Sequence, residues 1–310
     1  MSNTTFSILI TTRNRLGDLI FTLKKISSLL DQENVQCVVF DDGSDDGTYE
    51  YVKENFPNIH VQQNKISKGY IFCRNKMLNE TKADFSISLD DDAHFVTENP
   101  LELIQNHFEQ NQNCGLIAMR IYWGLEEPNA IFSNQKNQQV RGFVGCAHVW
   151  RMKTWRDIPN YPEWFVFYGE EDFAAFQMFK KQWEIHYLPT ILVNHRVNLK
   201  ARKNNSDYTI RLRRSLRSGW YSLFLFYPMS VLPKEILYSL WIQLKKKVFK
   251  GDFKTLKAIV LALMDLGWNM PLLIKNSNRL TSSEYDSYRN LPEAKIYWKP
   301  ELKRIKNEKL

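Results

Sequence analysis

Three consecutive aspartates, Asp90, Asp91 and Asp92, directly follow the apolar run at 85–89. Adjacent carboxylates repel one another, and a hard divalent cation such as Mg²⁺ or Mn²⁺ relieves that repulsion because it prefers oxygen ligands. Ligands of open α/β sheets bind at the carboxyl ends of the strands. The triplet is therefore a candidate site for a metal ion and the phosphates that it neutralises, although an ordinary turn also favours aspartate.

Further polar side chains follow two other predicted strands: Thr11 and Arg13 after residues 6–12, and Asp41 and Asp42 after residues 35–40. The ends of parallel strands share one edge of a sheet, so these side chains can line one crevice. Carboxylates suit hydrogen bonds to base N–H groups or ribose hydroxyls, and Arg13 and Arg74 suit phosphate. The patterns GxGxxG after the first strand and GxxxxGK[ST] are absent from the sequence, which argues against dinucleotide-binding and P-loop proteins.

Hydrophobic spacing predicts strands that alternate with helices. The predicted strands are 6–12, 35–40, 59–62, 85–89, 116–122, 139–150, 185–188 and 191–193. The predicted helices are 14–30, 48–55, 69–80, 100–113 and 173–181, and the last of these starts just after an acidic group at 170–172. This order indicates an α/β fold with a mostly parallel sheet, right-handed crossovers and flanking helices.

The charge of this 310-residue chain divides it into two parts. The net charge is +8, yet residues 196–250 contain thirteen Lys or Arg and two Asp or Glu, so this segment carries +11 and the rest carries −3. We therefore expect an α/β domain at 1–205 and a helical region at 206–310. The four cysteines are widely spaced, which predicts a reducing compartment without a disulfide framework or zinc site. No secretory signal pattern precedes the first strand, and a cytoplasmic location is expected.

Aromatic and leucine-rich runs alternate with Lys and Arg beyond residue 207. No uncharged stretch reaches the ~20 residues that a membrane-spanning helix needs. Such runs favour helices that lie in the membrane interface, and a helical subdomain with a solvated basic face is the alternative. A nucleic-acid surface is disfavoured, because leucine and phenylalanine crowd the segment and an acidic crevice would repel phosphate.

Four sequence blocks, in this order and spacing, resemble family 2 glycosyltransferases of the GT-A fold: 7–15 (SILITTRNR), 39–48 (VFDDGSDDGT), Gly69 with Arg74 and Asn75, and 89–92 (LDDD). A fifth block, 169–173 (GEEDF), is similar to the acidic acceptor-site motif of the family. The sixth, 193–195 (VNH), is similar to a late histidine that completes the metal site in many members. The resemblance covers residues 6–197. It departs from the family at Thr12, where an aromatic residue is frequent, and at Trp183, where a glycine usually follows the acidic-motif helix.

The resemblance implies a role for each matching residue. In the donor site, Thr11 and Arg13 line the nucleotide pocket, Asp42 binds the base with Asp41 beside it, and Arg74, Asp90 and Asp91 contact the donor. Asp92 and His195 hold Mn²⁺ or Mg²⁺, Asp172 is the general base, and Glu171 and Trp164 lie on the acceptor side. Each of the less specific sites also has a simpler interpretation. The acids at 170–172 can be favourable charges at a helix N-terminus, and His195 can be structural. The aromatic segment 161–168 can be a loop that packs in the core.

The function implied is inverting transfer of a sugar from a nucleoside diphosphate sugar, with UDP favoured, to a glycan or lipid-linked acceptor. We expect a bacterial enzyme of surface polysaccharide biosynthesis, peripheral at the inner face of the cell membrane. A nucleotidyltransferase of related fold is a weaker alternative. Triphosphate contacts usually need a glycine-rich basic loop after the first strand, and residues 11–16 contain two Arg and no Gly.

Overall fold

The computed structural model describes residues 4–197 and 207–300. Its strands are β1 (Phe6–Thr12), β2 (Val35–Asp41), β3 (His60–Gln63), β4 (Phe85–Asp90), β5 (Ala93–Phe95), β6 (Cys114–Trp123), β7 (Gln138–Val140), β8 (Ala147–Arg151) and β9 (Glu184–His195). Its first helices are α1 (Leu16–Lys25), α2 (Ser27–Leu30), α3 (Thr48–Asn55), α4 (Tyr70–Glu80), α5 (Pro100–Gln110), α6 (Met152–Asp157) and α7 (Glu170–Lys180). The C-terminal helices are α8 (Tyr208–Phe226), α9 (Leu232–Lys246), α10 (Phe253–Trp268), α11 (Met270–Lys275) and α12 (Ser282–Asn290).

The predicted α/β class with a helical C-terminal region is confirmed, and one sheet holds the strands in the order β3-β2-β1-β4-β8-β6-β9-β5, with β7 paired to β9. The first four of these strands are parallel, and the largely apolar, buried β1, β2 and β4 are typical of strands covered on both faces, whereas β3 at the edge is polar and more exposed. Strand β8 is antiparallel to both β4 and β6. A strand that runs parallel to the one before it usually needs a helical crossover. Residues 124–146, which connect β6 to β8, contain β7 and no helix, which is consistent with the antiparallel pairing of β8 with β6.

Four predicted regions differ from the structure. Residues 139–150 form two strands, β7 and β8, separated by a loop that contains Gly142 and Gly145. The two short strands predicted at 185–193 are one continuous strand, β9, and the helix predicted at 14–30 is interrupted at Ile26. Helix α7 begins at Glu170, so the acidic group forms its first turn instead of preceding it.

The described C-terminal helices share an apolar core with the α/β part. The ring of Phe226 in α8 stacks on Phe176 in α7 with centroids 4.7 Å apart, and Tyr288 in α12 stacks on the same ring at 4.5 Å. Trp220 and Tyr221 of α8 are fully buried in the same cluster. The predicted boundary between residues 205 and 206 lies outside the described residues. Within the described ranges, we find no helix with the length and apolarity needed to cross a membrane.

Candidate active site

The polar residues that follow β1, β2 and β4 meet at one edge of the sheet. Thr12 pairs in register with Asp41, and Thr11 pairs with both Phe40 and Asp90. This alignment follows from parallel pairing, which brings the carboxyl ends of neighbouring strands together. The crevice expected from the sequence therefore lies at this edge.

Asp90, Asp92 and His195 form a group whose ligand atoms all lie within 4.8 Å of one another. Strand β5 turns back beside β9 and pairs Ala93 with His195, which brings the histidine next to the aspartates. His195 Nε2 lies 3.0 Å from Asp92 Oδ1 and 4.0 Å from Asp90 Oδ2. Asp92 Oδ1 is buried, and its contact with His195 Nε2 lacks good hydrogen-bond geometry. Two carboxylates and an imidazole around an unsatisfied oxygen are a suitable donor set for Mn²⁺ or Mg²⁺.

Charges around this group favour an ionised Asp92. Burial opposes ionisation, but His195 and Arg15 hold the pKa of Asp92 below its ordinary value. Burial likewise opposes protonation of His195, yet Cys146 and Asp92 raise the pKa of His195 to about 11. Asp92 is therefore ionised, and His195 would have to lose its proton to bind a cation beside it.

Arg15, to which the sequence analysis assigned no role, bridges two members of the triplet. Its guanidinium lies 2.8 Å from Asp91 Oδ1 and 2.7 Å from Asp92 Oδ2. Asp91 is buried and also accepts a hydrogen bond from Thr12 Oγ1 at 2.8 Å. The only sequence feature that could have indicated this contact is that Arg15 is the second arginine after β1. The carboxylate of Asp91 is thus held by protein groups, which differs from the donor contact predicted for it.

The buried carboxylate of Asp42 organises the loop before α4. It accepts hydrogen bonds from Asn64 Nδ2 (2.8 Å), Ser67 Oγ (2.6 Å), Lys68 N (2.8 Å) and Gly69 N (2.9 Å). Burial opposes ionisation, but the bonds from Ser67 and Asn64 hold the pKa of Asp42 below its ordinary value. A carboxylate has about four lone-pair sites. All of them are used here, so Asp42 shapes the loop, and its contact with a base stays a prediction.

Other residues predicted for the donor pocket are placed around the same edge. Thr11 is half-buried, and its hydroxyl has no hydrogen-bond partner among the described residues. Asp41 is buried and accepts hydrogen bonds from Ser44 N (2.9 Å) and Gln63 Nε2 (3.1 Å). Arg13 is exposed. The hydroxyl of Thr11 is thus buried and unpaired among the described residues.

Arg74 connects the metal-site group to the loop between β7 and β8. This buried side chain donates to Asp90 Oδ1 and to the carbonyl oxygen of Gly145, both at 2.8 Å. Its guanidinium also lies 4.3 Å from the ring centroid of Tyr70, whose hydroxyl donates to Asp90 at 3.1 Å. Arg74 thereby orients Asp90.

The three acids of α7 point to different surroundings. Glu170 is buried and Glu171 is half-buried, whereas Asp172 is exposed. The carboxylate of Glu171 lies against Gly145, and the charge of Arg74 acts on both glutamates. Burial raises the pKa of Glu170 to about 7, and burial with repulsion from Glu170 raises that of Glu171 well above its ordinary value.

Asp172 faces the C-terminal region. Desolvation by nearby protein atoms raises the pKa of Asp172, and the charge of Arg141 opposes this shift. Burial raises the pKa values of Tyr227 and Tyr288, and the charge of Asp172 adds to both shifts. The structure thus brings Glu171, rather than Asp172, to the side of the metal-site group.

The turn after α7 gives a second comparison between Glu171 and Asp172, based on their distance along the chain from that turn. Gln182 has a left-handed φ of 61°. Glycine favours such a conformation, so Gln182, and not Trp183, occupies the turn position where the family usually has glycine. The match between this chain and the family pattern is therefore shifted by one residue at this turn. With the same one-residue shift, the acidic position that the sequence analysis assigned to Asp172 would fall on Glu171.

The segment before α7 is held in an unusual backbone conformation. Val166 and Tyr168 have φ values of 68° and 70°, and Gly169 follows at 86°. A β-branched residue with positive φ is rare, and such conformations cluster at functional sites. Trp164 is half-buried against Tyr221 of α8, with ring centroids 5.2 Å apart. Trp164 therefore packs between the two parts of the chain.

A second group, His107, Cys114 and His186, also has ligand atoms within 4.8 Å of one another. Its polar atoms already form a chain, because Glu184 lies 2.7 Å from His186 Nε2 and His186 Nδ1 lies 2.8 Å from His107 Nε2. Burial and the neighbouring charges of His186 and Arg151 lower the pKa of His107 to about 4. This second group offers no carboxylate oxygen, whereas the Asp90–Asp92–His195 group offers two, so the latter is the better site for Mn²⁺ or Mg²⁺.

Comparison with known proteins agrees with this geometry. The profile of the family described as glycosyl transferase family 2 matches residues 7–180. A search of curated protein sequences gave no match. Among solved structures, GalNAc-T7 with UDP, GalNAc and Mn²⁺ has a TM-score of 0.57 at 14% identity, over 74% of this chain and 49% of that one. This chain therefore spans about half the length of GalNAc-T7.

Two further structures match over most of their length. The mannosyltransferase PcManGT from Pyrobaculum calidifontis, in complex with GDP-Man and Mn²⁺, has a TM-score of 0.53 at 13% identity, over 92% of this chain and 83% of that one. S. aureus TarS 1-349 has a TM-score of 0.51 at 15% identity, over 92% and 89%. The family profile covers more than half of the sequence, and the fold is that of GT-A enzymes. The chain belongs to glycosyl transferase family 2 and is a glycosyltransferase.

Proposed function

We propose that this glycosyltransferase moves a sugar from a nucleoside diphosphate donor, with UDP favoured, to a hydroxyl group of a glycan or lipid-linked acceptor with inversion. The observation that carries the proposal is the Asp90–Asp92–His195 group, which is connected through Arg74 and the Gly145 loop to the acidic turn of α7. This connection supports the proposal, because the reaction needs a cation and a base on the same crevice. Surface polysaccharide biosynthesis in a bacterium, at the cytoplasmic face of the membrane, is the setting that we propose.

The donor would bind along the carboxyl edge of the sheet. In this proposal Thr11 and Asp41 support the nucleoside side of the donor site from beneath, and the exposed Arg13 provides positive charge for phosphate. Asp90, Asp92 and His195 would hold the divalent cation. The cation would offset the negative charge that develops on the departing diphosphate.

Glu171 is the general base in our proposal. The acceptor hydroxyl oxygen attacks the anomeric carbon as the bond from that carbon to the diphosphate oxygen breaks, and the hydroxyl proton passes to the Glu171 carboxylate. Attack from the face opposite the leaving group inverts the anomeric configuration. The raised pKa of Glu171 matches it to this role, because a stronger base accepts the proton more readily.

The acceptor would lie between α7 and the C-terminal region. Asp172, which the sequence analysis assigned as the base, is exposed there with Arg141 nearby and is proposed to hydrogen-bond acceptor hydroxyls. Trp164 would support this side indirectly, through its packing on Tyr221.

A calorimetric titration tests the donor site. We expect UDP to bind in the presence of Mn²⁺, to bind at least tenfold more weakly without it, and to bind more tightly than GDP or dTDP. Transfer from the preferred UDP-sugar, followed by NMR of the product's anomeric proton, should show inversion. Absence of Mn²⁺-dependent binding for all three nucleotides contradicts the proposal. Pyrophosphate release from a nucleoside triphosphate and a sugar phosphate would favour a nucleotidyltransferase instead.

A further inference from the structure

We propose that the outer face of α9 and α10 binds the surface of an anionic lipid bilayer. This inference rests on the proposed function, because it presents a lipid-linked acceptor to the glycosyltransferase site. We call this surface the α9–α10 face, and it comprises the exposed apolar side chains Leu237, Tyr238, Trp241, Phe249, Phe253, Leu256, Val260, Leu263, Met264 and Trp268.

Helix α10 is apolar on both sides. Its inner side packs on α8 through buried residues that include Ala258, Ile259 and Ala262. Its outer residues recur at helical spacing and are exposed to solvent, with Trp268 at 87% and Phe253 at 74%. A helix that is apolar all round is normally buried in protein or lipid. The outer side of α10 therefore needs an apolar partner.

The exposed side of α9 extends this surface. Trp241 of α9 lies 6.1 Å, centroid to centroid, from Phe249 in the turn that leads to α10. Leu237 and Tyr238, one turn earlier in α9, are 66% and 60% exposed. Contiguous apolar patches of this kind mark sites of interaction with proteins or membranes.

Basic residues surround the apolar patch and decide between these partners. Six lysines lie on or beside it: Lys245, Lys246, Lys247, Lys250, Lys254 and Lys257. The nearby acids are already engaged, since Asp252 accepts from Tyr208 and Thr255 and Glu235 lies 3.5 Å from Arg289. Anionic headgroups attract such lysines. A second copy in a two-fold dimer would instead bring the two lysine clusters together, so we assign the face to a bilayer.

The α9–α10 face is one helix away from the acidic turn. Helix α8 lies between them, with Tyr221 donating to the Asp265 carbonyl oxygen of α10 at 3.0 Å on one side. On the other side, Tyr221 packs on Phe165 at 5.4 Å, and Arg217 donates to the Phe165 carbonyl oxygen. Packed helices lie about 8–10 Å apart. A sugar on a membrane lipid could therefore reach the crevice while its lipid chain stays in the bilayer.

Vesicle co-sedimentation of the full chain tests this assignment. We expect binding to vesicles of equal parts phosphatidylcholine and phosphatidylglycerol, and much weaker binding to phosphatidylcholine alone. The double variant Trp241→Ser and Trp268→Ser should bind at least tenfold more weakly. The triple variant Lys245→Gln, Lys246→Gln and Lys250→Gln should lose about fivefold in affinity per lysine.

The matched control is the double variant Ile131→Ser and Phe132→Ser, whose residues are 56% and 74% exposed elsewhere on the surface and should not affect binding. Equal vesicle binding by the tryptophan variant and the wild type would overturn the proposal. A concentration-dependent dimer in sedimentation velocity that the tryptophan variant abolishes would also overturn it.

Two further measurements keep folding and donor binding separate from membrane binding. Brominated lipids should quench tryptophan fluorescence of the wild type more than that of the tryptophan variant, which shows contact directly. Mn²⁺-dependent UDP binding should be unchanged in every variant, which shows that each has folded. A wild type that binds UDP but not vesicles overturns the membrane face alone, whereas one that binds vesicles but no nucleotide overturns the proposed function.

Discussion

The carboxylate of Glu171 occupies the space that a side chain on residue 145 would need, and only the absence of a Cβ atom on Gly145 allows this approach. The carbonyl oxygen of the same glycine accepts a hydrogen bond from Arg74, which also donates to Asp90. Position 145 therefore contacts both the candidate base and the arginine that orients a candidate metal ligand.

Gly145→Ala should lower kcat without preventing folding. The added methyl group would overlap Glu171 Oε1, and the carboxylate at the end of a flexible side chain would have to move away. Misplacing a reacting group by about 1 Å can cost on the order of 100-fold in rate. Steady-state kinetics should show this loss, whereas Gly142→Ala in the same loop, with no atom within 4 Å of the new Cβ, should keep the wild-type rate. Equal rates for both variants would contradict the placement of Glu171.

Glu171→Gln should retain donor binding and lose about 100-fold or more in kcat, because the amide cannot accept the acceptor's proton. Asp172→Asn should mainly raise the KM for the acceptor, since the structure places this residue away from the metal-site group. Kinetics with varied acceptor, together with UDP titration, separate the two effects. A greater loss of kcat in Asp172→Asn than in Glu171→Gln would restore Asp172 as the base.

The rate at saturating donor should rise with pH. Burial first, and repulsion from Glu170 second, raise the pKa of Glu171 well above its ordinary value, and the pKa of Glu170 is about 7. The protonated form of Glu171 predominates below its pKa and cannot act as a base. We expect kcat to increase about tenfold per pH unit on the acid limb and then level off. In Glu171→Gln this rise should disappear from the pH profile of kcat, and a persisting rise would assign it to another group.

His195→Gln should weaken Mn²⁺-dependent UDP binding by at least tenfold, because it removes one of the three metal-site ligands. The matched control is His186→Gln, which alters the second histidine group without touching the crevice. Calorimetry on both variants, with and without Mn²⁺, distinguishes the two groups. The opposite pattern, with loss only in His186→Gln, would place the functional metal in the second group.

Phe226→Ala should destabilise the protein by about 3–5 kcal/mol, because it removes a fully buried ring. That ring stacks on Phe176 of α7, so the same change should also loosen the acidic turn. Urea unfolding measures the free energy, and Phe132→Ala, at a site 74% exposed, should change it by less than about 0.5 kcal/mol. Similar unfolding curves for both variants would mean that α8 does not share the core.

The pattern of residues alone was sufficient to predict the strands that border the crevice. Apolar runs predicted β1, β2 and β4. The polar residues that end these strands predicted a crevice at one edge of the sheet, because parallel pairing brings the carboxyl ends of neighbouring strands together. The Asp triplet and His195 were likewise predicted to meet. The strands and their polar ends followed from short-range periodicity, whereas the role of His195 followed only from the resemblance to family 2 glycosyltransferases.

Contacts between distant segments required the tertiary structure. Arg15 reaches Asp91 and Asp92 only because α1 starts beside the end of β4, and nothing in the local pattern assigns it that role. Asp42 was predicted to contact the base, yet the following loop folds back and fills its acceptor positions.

The choice between Glu171 and Asp172 was also decided by the fold. Adjacent residues on a helix point about 100° apart, so a one-residue shift in the start of α7 changes which acid faces the crevice. The sequence by itself thus determined the family resemblance, the crevice and the metal-binding residue types. Only the tertiary structure determined which carboxylates remain free to act, because that depends on the donors that distant segments bring to each one.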